Sequence, residues 1–297
     1  MPMPQNRNAE EKTGVRLRSL LFVPGDRPER FDKAIGSGAD AIIIDLEDSV
    51  TIANKEKARA NALELLSRRS SDLPILIRIN PINSGASHLD LAAIAEVKPF
   101  AIVLPKAKGA KSVETLFARL QESGGARTPI LPIATETPAA IFQLGSYIQV
   151  QKLICGLTWG AEDLPAAMGA ATSREEDGSY TAPYEVARSL TLFAAHAASV
   201  QAIETVYPNF RDLGGLKKYA ERGRRDGFTG MMAIHPAQIA PINQAFTPDA
   251  AAIAWAERVL EAFQANPEAG AIQLDGKMLD APHLKLAAEI IASIRDS

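Results

Sequence analysis

The sequence predicts an α/β fold: a single (β/α)8 barrel of the TIM type with a helical C-terminal extension. Three observations predict it. Eight apolar, β-branched runs alternate with helical segments in unbroken order. The runs are apolar throughout, as parallel strands covered on both faces require. Charged and carboxamide residues recur where the runs end, the place where a barrel of this kind carries its chemistry. The 297 residues are enough for one such barrel, which takes about 250, with an appendage to spare. An open doubly wound sheet is the alternative, but no Gly-x-Gly-x-x-Gly follows the first strand.

The elements follow from periodicity. Residues 17–23 form a strand stopped by Pro24-Gly25, with a helix over 28–36. A second strand over 41–46 leads to an Ala-, Leu- and Lys/Arg-rich helix over 53–67, and a third over 74–79 to a shorter helix over 89–97. The fourth, 101–104, precedes a helix over 112–123. The fifth, 130–135, leads to a helix near Pro138, a residue suited to a first turn. The sixth, 153–157, has its helix delayed to 184–198. A seventh strand over 202–206 and an eighth over 230–234 are followed by helices over 216–226 and 237–246. Residues 1–14 are polar and read as a flexible tail, 15–247 as the barrel, and 248–297 as an extension that packs on the barrel or on a neighbouring subunit. Within it, 249–264 and 282–294 read as helices and 271–274 as a short strand.

Composition narrows the function. A net charge of −3 with no basic stripe excludes nucleic acid and anionic membrane surfaces as partners. No apolar run approaches the roughly 20 residues that cross a bilayer, and residues 1–14 lack the apolar core of a signal peptide. The single cysteine, Cys155, lies in the apolar run Leu153-Ile154-Cys155-Gly156-Leu157, which suits a buried structural thiol and a reducing cytoplasm.

The strand ends carry Asp45-Leu46-Glu47-Asp48, Arg78-Ile79-Asn80, Pro105-Lys106, Thr135-Glu136-Thr137, Gly160-Ala161-Glu162-Asp163, Glu204 and His235-Pro236. Carboxylates dominate this set. Anions crowded into one mouth repel one another unless protonated or neutralised. A hard cation with oxygen ligands neutralises them: Mg2+ needs only one or two carboxylates when water and substrate oxygens complete its octahedron, and Mn2+ accepts the same ligands. No His/Cys spacing suits zinc. Each residue also has a plainer reading. Glu136 could cap the following helix, and only one of Glu162 and Asp163 can face the mouth. Arg78 could pair with Glu47 or Asp48, Lys106 with a neighbouring carboxylate, and His235 could be a satisfied barrel-end residue.

Several of these segments occur together in a known family. Leu20-Leu21-Phe22-Val23-Pro24-Gly25, Asp45-Leu46-Glu47-Asp48-Ser49-Val50, Arg78-Ile79-Asn80, Leu104-Pro105-Lys106, Glu136-Thr137 and Gly160-Ala161-Glu162-Asp163-Leu164 all contribute. So do Ile234-His235-Pro236-Ala237-Gln238-Ile239 and Asp275-Gly276-Lys277-Met278-Leu279-Asp280-Ala281-Pro282. In this order they resemble the citrate lyase beta subunit-like branch of the HpcH/HpaI aldolase superfamily. The resemblance implies Mg2+ held by Glu136 and Asp163, with Arg78 binding the substrate acid. It also implies that Asp280, in the C-terminal extension, supplies an aspartate to the site of a neighbouring subunit in a homotrimer. The implied reaction is retro-Claisen cleavage of a 3-hydroxyacyl-CoA, of malyl-CoA or citramalyl-CoA type, to an acyl-CoA and a 2-oxo acid. Glu136 would also meet the substrate through the metal, Asp280 would move the proton at the acyl carbon, and Glu47 and Asp48 would orient metal-bound water or Arg78. A citrate lyase beta subunit working on an acyl-carrier-protein thioester and a class II pyruvate aldolase are the alternatives. One departure stands out: Glu204 occupies a place where relatives usually carry aspartate, and its extra methylene would alter the pocket.

Overall fold

Side chains alternate across a strand, so in a closed barrel every second residue fills the interior and the others meet the surrounding helices. A computed structural model of the chain describes residues 15–68, 72–124 and 127–295, and the tail expected over 1–14 lies outside them. Its eight barrel strands are β1 (Ser19–Pro24), β2 (Ala41–Asp45), β3 (Ile75–Arg78), β4 (Ala101–Leu104), β5 (Ile130–Pro132), β6 (Gly156–Thr158), β7 (Gln201–Glu204) and β8 (Gly230–Ala233). They run parallel in the order β5-β4-β3-β2-β1-β8-β7-β6. The ring closes between β5 and β6 through isolated bridges, Ile130 to Ile154 and Ile133 to Thr158. The fifth strand is shorter than the sequence predicts because Pro132, which has no N–H, cannot donate to a ladder. Beyond it, pairing survives as single bonds, Ile133 N–H to Leu104 O at 2.9 Å and Ala134 N–H to Thr158 O at 2.8 Å.

Leu20, Ile43, Leu76, Val103, Leu131, Ile203 and Met232 belong to one buried cluster. Two residues beyond Ile43 and Leu76 on the same faces come Asp45 and Arg78, which are Cα partners across the β2–β3 pair. The alternation that fills the core therefore delivers both charges to the same rim. Cys155 is buried in this cluster, and burial pushes its thiol up to about 12, so it is structural and inert.

Helix boundaries shift where caps act. The helix expected from residue 89 begins at Gly85, because the Ser84 side chain accepts the Ser87 N–H and caps it. Asp212 caps the helix Leu213–Asp226 by accepting the Gly215 N–H, and Gly227 ends it in the left-handed region at φ 113°. A six-residue helix, Asp163–Met168, follows β6, ahead of the helix that the periodicity predicts over 184–198.

The chain divides into two compact units, the first ending at Asn243 and the second starting at Gln244. In the second unit, Asp249 caps the helix Ala250–Ala265. A hairpin of β9 (Ala271–Leu274) and β10 (Lys277–Asp280) precedes the helix Ala281–Arg295. Its turn residues, Asp275 and Gly276, both have positive φ, 52° and 75°, as an Asp-Gly hairpin turn requires. Ala256, Val259, Leu279 and Ala287 form this unit's own buried cluster. Among the described residues no helix is long and apolar enough to cross a membrane.

Candidate active site

The rim is built outward from Asp45, the last residue of β2. Its buried carboxylate accepts two hydrogen bonds from Arg78, Nε and Nη2, each at 2.7 Å. It also accepts the N–H groups of Glu47 at 2.8 Å and Ser49 at 3.0 Å, which folds the chain after β2 into a tight turn. Burial alone would raise the Asp45 pKa; the Arg78 guanidinium and these bonds outweigh it and hold the carboxyl below the usual carboxylate range. Arg78 is correspondingly locked, with its guanidinium carbon 4.8 Å from the centre of the Phe22 ring. Lys55 secures the turn from behind, donating to the carbonyls of Leu46 and Glu47, both at 2.6 Å. The Asn80 carboxamide is spent likewise, on Leu46 O at 2.9 Å and Asp90 Oδ2 at 2.7 Å.

Glu47 is buried beside this pair. Its Oε1 accepts from Lys106 Nζ at 2.8 Å, while Oε2 faces Arg78 Nη1 at 3.3 Å as an ion pair and has no hydrogen-bond partner. Burial raises the Glu47 pKa against the pull of Arg78 and Lys106. Lys106 follows β4 in the left-handed region at φ 52°, unusual for a residue with a Cβ. That conformation turns its N–H onto Glu136 Oε2. Its ammonium meanwhile lies 3.8 Å from Asp48 and 3.6 Å from Asp163. One lysine thus touches residues that follow β2, β5 and β6.

Glu136 is only 3% exposed. Burial, together with the negative charges of Glu47 and Asp163, pushes its carboxyl up to about 8 against the Lys106 N–H, which lowers it. Room for it depends on Gly160: a Cβ there would lie 2.5 Å from Glu136 Cγ. The Thr135 hydroxyl holds the Gly160 backbone in place, accepting its N–H at 3.1 Å. Asp163 opens the helix Asp163–Met168 with its side chain 37% exposed.

The structure therefore gathers Glu136, Asp163, Arg78, Glu47 and Asp48 at one rim, linked through Lys106. Asp280 belongs to the second unit, where its carboxylate lies 2.6 Å from His283 Nδ1. Glu204 is a correction. It shares a strand with inward-facing Ile203 and so takes the opposite face, fully buried, where it meets Arg188 Nε at 2.7 Å, Tyr219 OH at 2.9 Å and the Trp159 indole N–H. Its extra methylene reaches the layer between barrel and helices, not the mouth. The partner of Arg78 is also corrected: Asp45 takes its two short bonds, and Glu47 only the 3.3 Å contact. His235 has the plainer of its two readings, with Nδ1 accepting the Ala237 N–H at 3.1 Å and its ring stacked on Phe210 at 4.9 Å.

The donor set suits a hard dication. Glu136 and Asp163 offer oxygen only, like charges crowd around Glu136, and Glu47 Oε2 is a buried carboxylate oxygen lacking a hydrogen bond. Among the described residues no three His, Cys, Asp or Glu side chains form a closed cage, so a cation here would draw its remaining ligands from water and substrate, as Mg2+ commonly does. A fixed guanidinium beside such an ion is suited to a substrate carboxylate or a developing oxyanion.

An eight-stranded barrel with its charges gathered at the C-terminal rim is the layout of a barrel enzyme. The family model of the HpcH/HpaI aldolase/citrate lyase family matches residues 18–236, and the chain belongs to that family and, with it, to the carbon–carbon lyases. It is 32% identical over 293 residues to a (3S)-malyl-CoA thioesterase of Cereibacter sphaeroides, covering 95% of this chain and 98% of that protein. With the mitochondrial citramalyl-CoA lyase of Rattus norvegicus it shares 30% identity over 296 residues, 93% of this chain and 86% of that one. The crystal structure of CitE from Mycobacterium tuberculosis in complex with magnesium, acetoacetate and coenzyme A superposes with a TM-score of 0.79 at 33% identity, covering 93% of this chain and 97% of that one.

Proposed function

We propose that this protein is a Mg2+-dependent lyase that cleaves a 3-hydroxyacyl-CoA of malyl-CoA or citramalyl-CoA type to an acyl-CoA and a 2-oxo acid. The observation that carries the reading is the buried Glu136 carboxyl, joined to Glu47 and Asp163 through Lys106, in a family whose relatives are named for these substrates. Glu136 and Asp163 hold the metal, and Mn2+ can replace Mg2+ on the same oxygens. A cation held by these two side chains would supply Lewis-acid stabilisation of the negative charge released by carbon–carbon cleavage. Arg78, kept rigid by Asp45, supplies the positive charge that neutralises the substrate acid. Glu47 and Lys106 fix the carboxylates around it, and Asp48, half exposed at the edge, orients water. Asp280 moves the proton at the acyl carbon, as the family resemblance implies, and the enzyme works in the cytoplasm as a homotrimer.

Glu136→Ala and Asp163→Ala are the direct test. Both are expected to lose Mg2+-dependent release of a 2-oxo acid from malyl-CoA and citramalyl-CoA, and undiminished activity in either removes that residue from the metal site. The thioesterase relative supports a second reading, hydrolysis of the thioester. Measuring free CoA thiol beside the 2-oxo acid in the same assay separates the two. Gly160→Ala probes the geometry without removing a ligand. Its methyl would displace Glu136, whose Cγ lies 2.5 Å from the new Cβ position. A misplacement of about 1 Å costs about a hundredfold in rate, and that loss in kcat is the expected result by steady-state kinetics.

A further inference from the structure

We infer that the Lys106 ammonium is the resident cation of the rim carboxylates, and that it and the divalent metal replace one another at Asp163. The inference rests on the proposed roles of Glu136 and Asp163 and adds a role for a residue outside the ligand set.

Three features of Lys106 point this way. Its main chain is pinned, with φ at 52° and its N–H on Glu136, so the residue cannot leave the rim. Its side chain is not pinned to the same degree: it is 31% exposed, and the ammonium lies 2.8 Å from Glu47, 3.6 Å from Asp163 and 3.8 Å from Asp48. A flexible four-carbon stem can redistribute the charge among these three carboxylates without moving the backbone. The neighbouring cations have no such freedom. Arg78 is held by two 2.7 Å bonds to Asp45, and Lys55 by two 2.6 Å bonds to carbonyl oxygens.

An ammonium and a dication cannot both sit against one carboxylate without strong mutual repulsion. Asp163, the most exposed partner after Asp48, is the one that changes hands. Glu47, 3% exposed and 2.8 Å away, then retains the ammonium. The lysine stabilises the empty rim by screening its carboxylates, and for the same reason it weakens metal binding in the absence of substrate.

Lys106→Met tests this. Calorimetric titration with Mn2+ alone should show binding tighter than wild type by about tenfold or more, because a unit charge beside the ligands is gone. The metal-free variant should melt at a lower temperature and recover when Mn2+ is added. Lys106→Arg keeps the charge and should bind Mn2+ within about threefold of wild type. A readout independent of variant folding uses the wild type: the rate of trace reductive methylation of Lys106, followed by mass spectrometry, should change severalfold when Mg2+ is added. Unchanged Mn2+ affinity in folded Lys106→Met, or methylation of Lys106 indifferent to Mg2+, overturns the exchange while leaving the metal site standing. Wild type that binds no Mn2+, or Glu136→Ala that binds it as wild type does, overturns the metal site and the exchange together.

Discussion

Glu136→Gln is expected to lower kcat by about a thousandfold, to abolish Mg2+ binding, and yet to raise the melting temperature of the metal-free protein above pH 8. On the proposed assignment, the loss follows from removing a metal ligand, whose ion would supply several kcal/mol to the transition state, with about 1.4 kcal/mol for each factor of ten. The gain follows from the carboxyl itself, which burial and its neighbours push from the ordinary 4.5 up to about 8. Between those two values the folded protein keeps a proton that the unfolded chain has released, so metal-free stability falls as pH rises through that window. Above it the charged Glu136 destabilises the fold by a few kcal/mol. Glutamine retains an oxygen for the Lys106 N–H and carries no charge. Differential scanning calorimetry from pH 5 to 9 in EDTA should show the wild-type curve declining more steeply than that of Glu136→Gln. Parallel curves would mean that the Glu136 carboxyl is not raised.

Arg188→Met is expected to destabilise the barrel by about 3–5 kcal/mol, the cost of leaving a buried charge unpaired. Arg188, on the helix Ala182–Ala197, meets Glu204 and Asp226 at 2.7 Å each, and Glu204 is fully buried. With the guanidinium gone, Glu204 keeps only neutral donors, the Trp159 indole, Tyr219 OH and the Thr205 N–H. Urea denaturation should show a lower midpoint with an unchanged slope. Glu204→Gln added to Arg188→Met should restore much of the loss, because the stranded charge is then absent. A double variant no more stable than the single one would locate the damage elsewhere, in the packing of Arg188 over Phe228 at 4.8 Å.

Order and kind of the eight strand–helix units were readable because each strand is a short apolar run closed by a break such as Pro24-Gly25. Clustering of Glu136, Asp163 and Arg78 was readable for the same reason, since all three follow or end such runs. The inside of each strand was harder to tell from the outside. In Ala202-Ile203-Glu204-Thr205-Val206 both faces are covered, so nothing in the pattern marks Ile203 as inward and Glu204 as outward. Parity would have helped at β2, where Asp45 lies two residues beyond Ile43 and faces the same interior as Arg78. The left-handed Lys106 leaves no trace in the sequence, because lysine is not a residue that announces positive φ. By contrast, the Asp275-Gly276 turn did announce the hairpin to β10. That turn, more than the composition of Lys277–Asp280, marks the second strand of the hairpin.

The proline that shortens β5 reaches further than the strand it ends. Glu136 and Asp163 hang from the two staves of the barrel that are joined only by separate bridges, so the gap between them is the least tightly laced on that side of the ring. A seam of this kind can widen or narrow by small amounts without tearing a continuous row of bonds. On the proposed assignment, the spacing of the two metal-facing carboxylates is set across the seam that one missing amide hydrogen leaves with separate bridges in place of a continuous ladder.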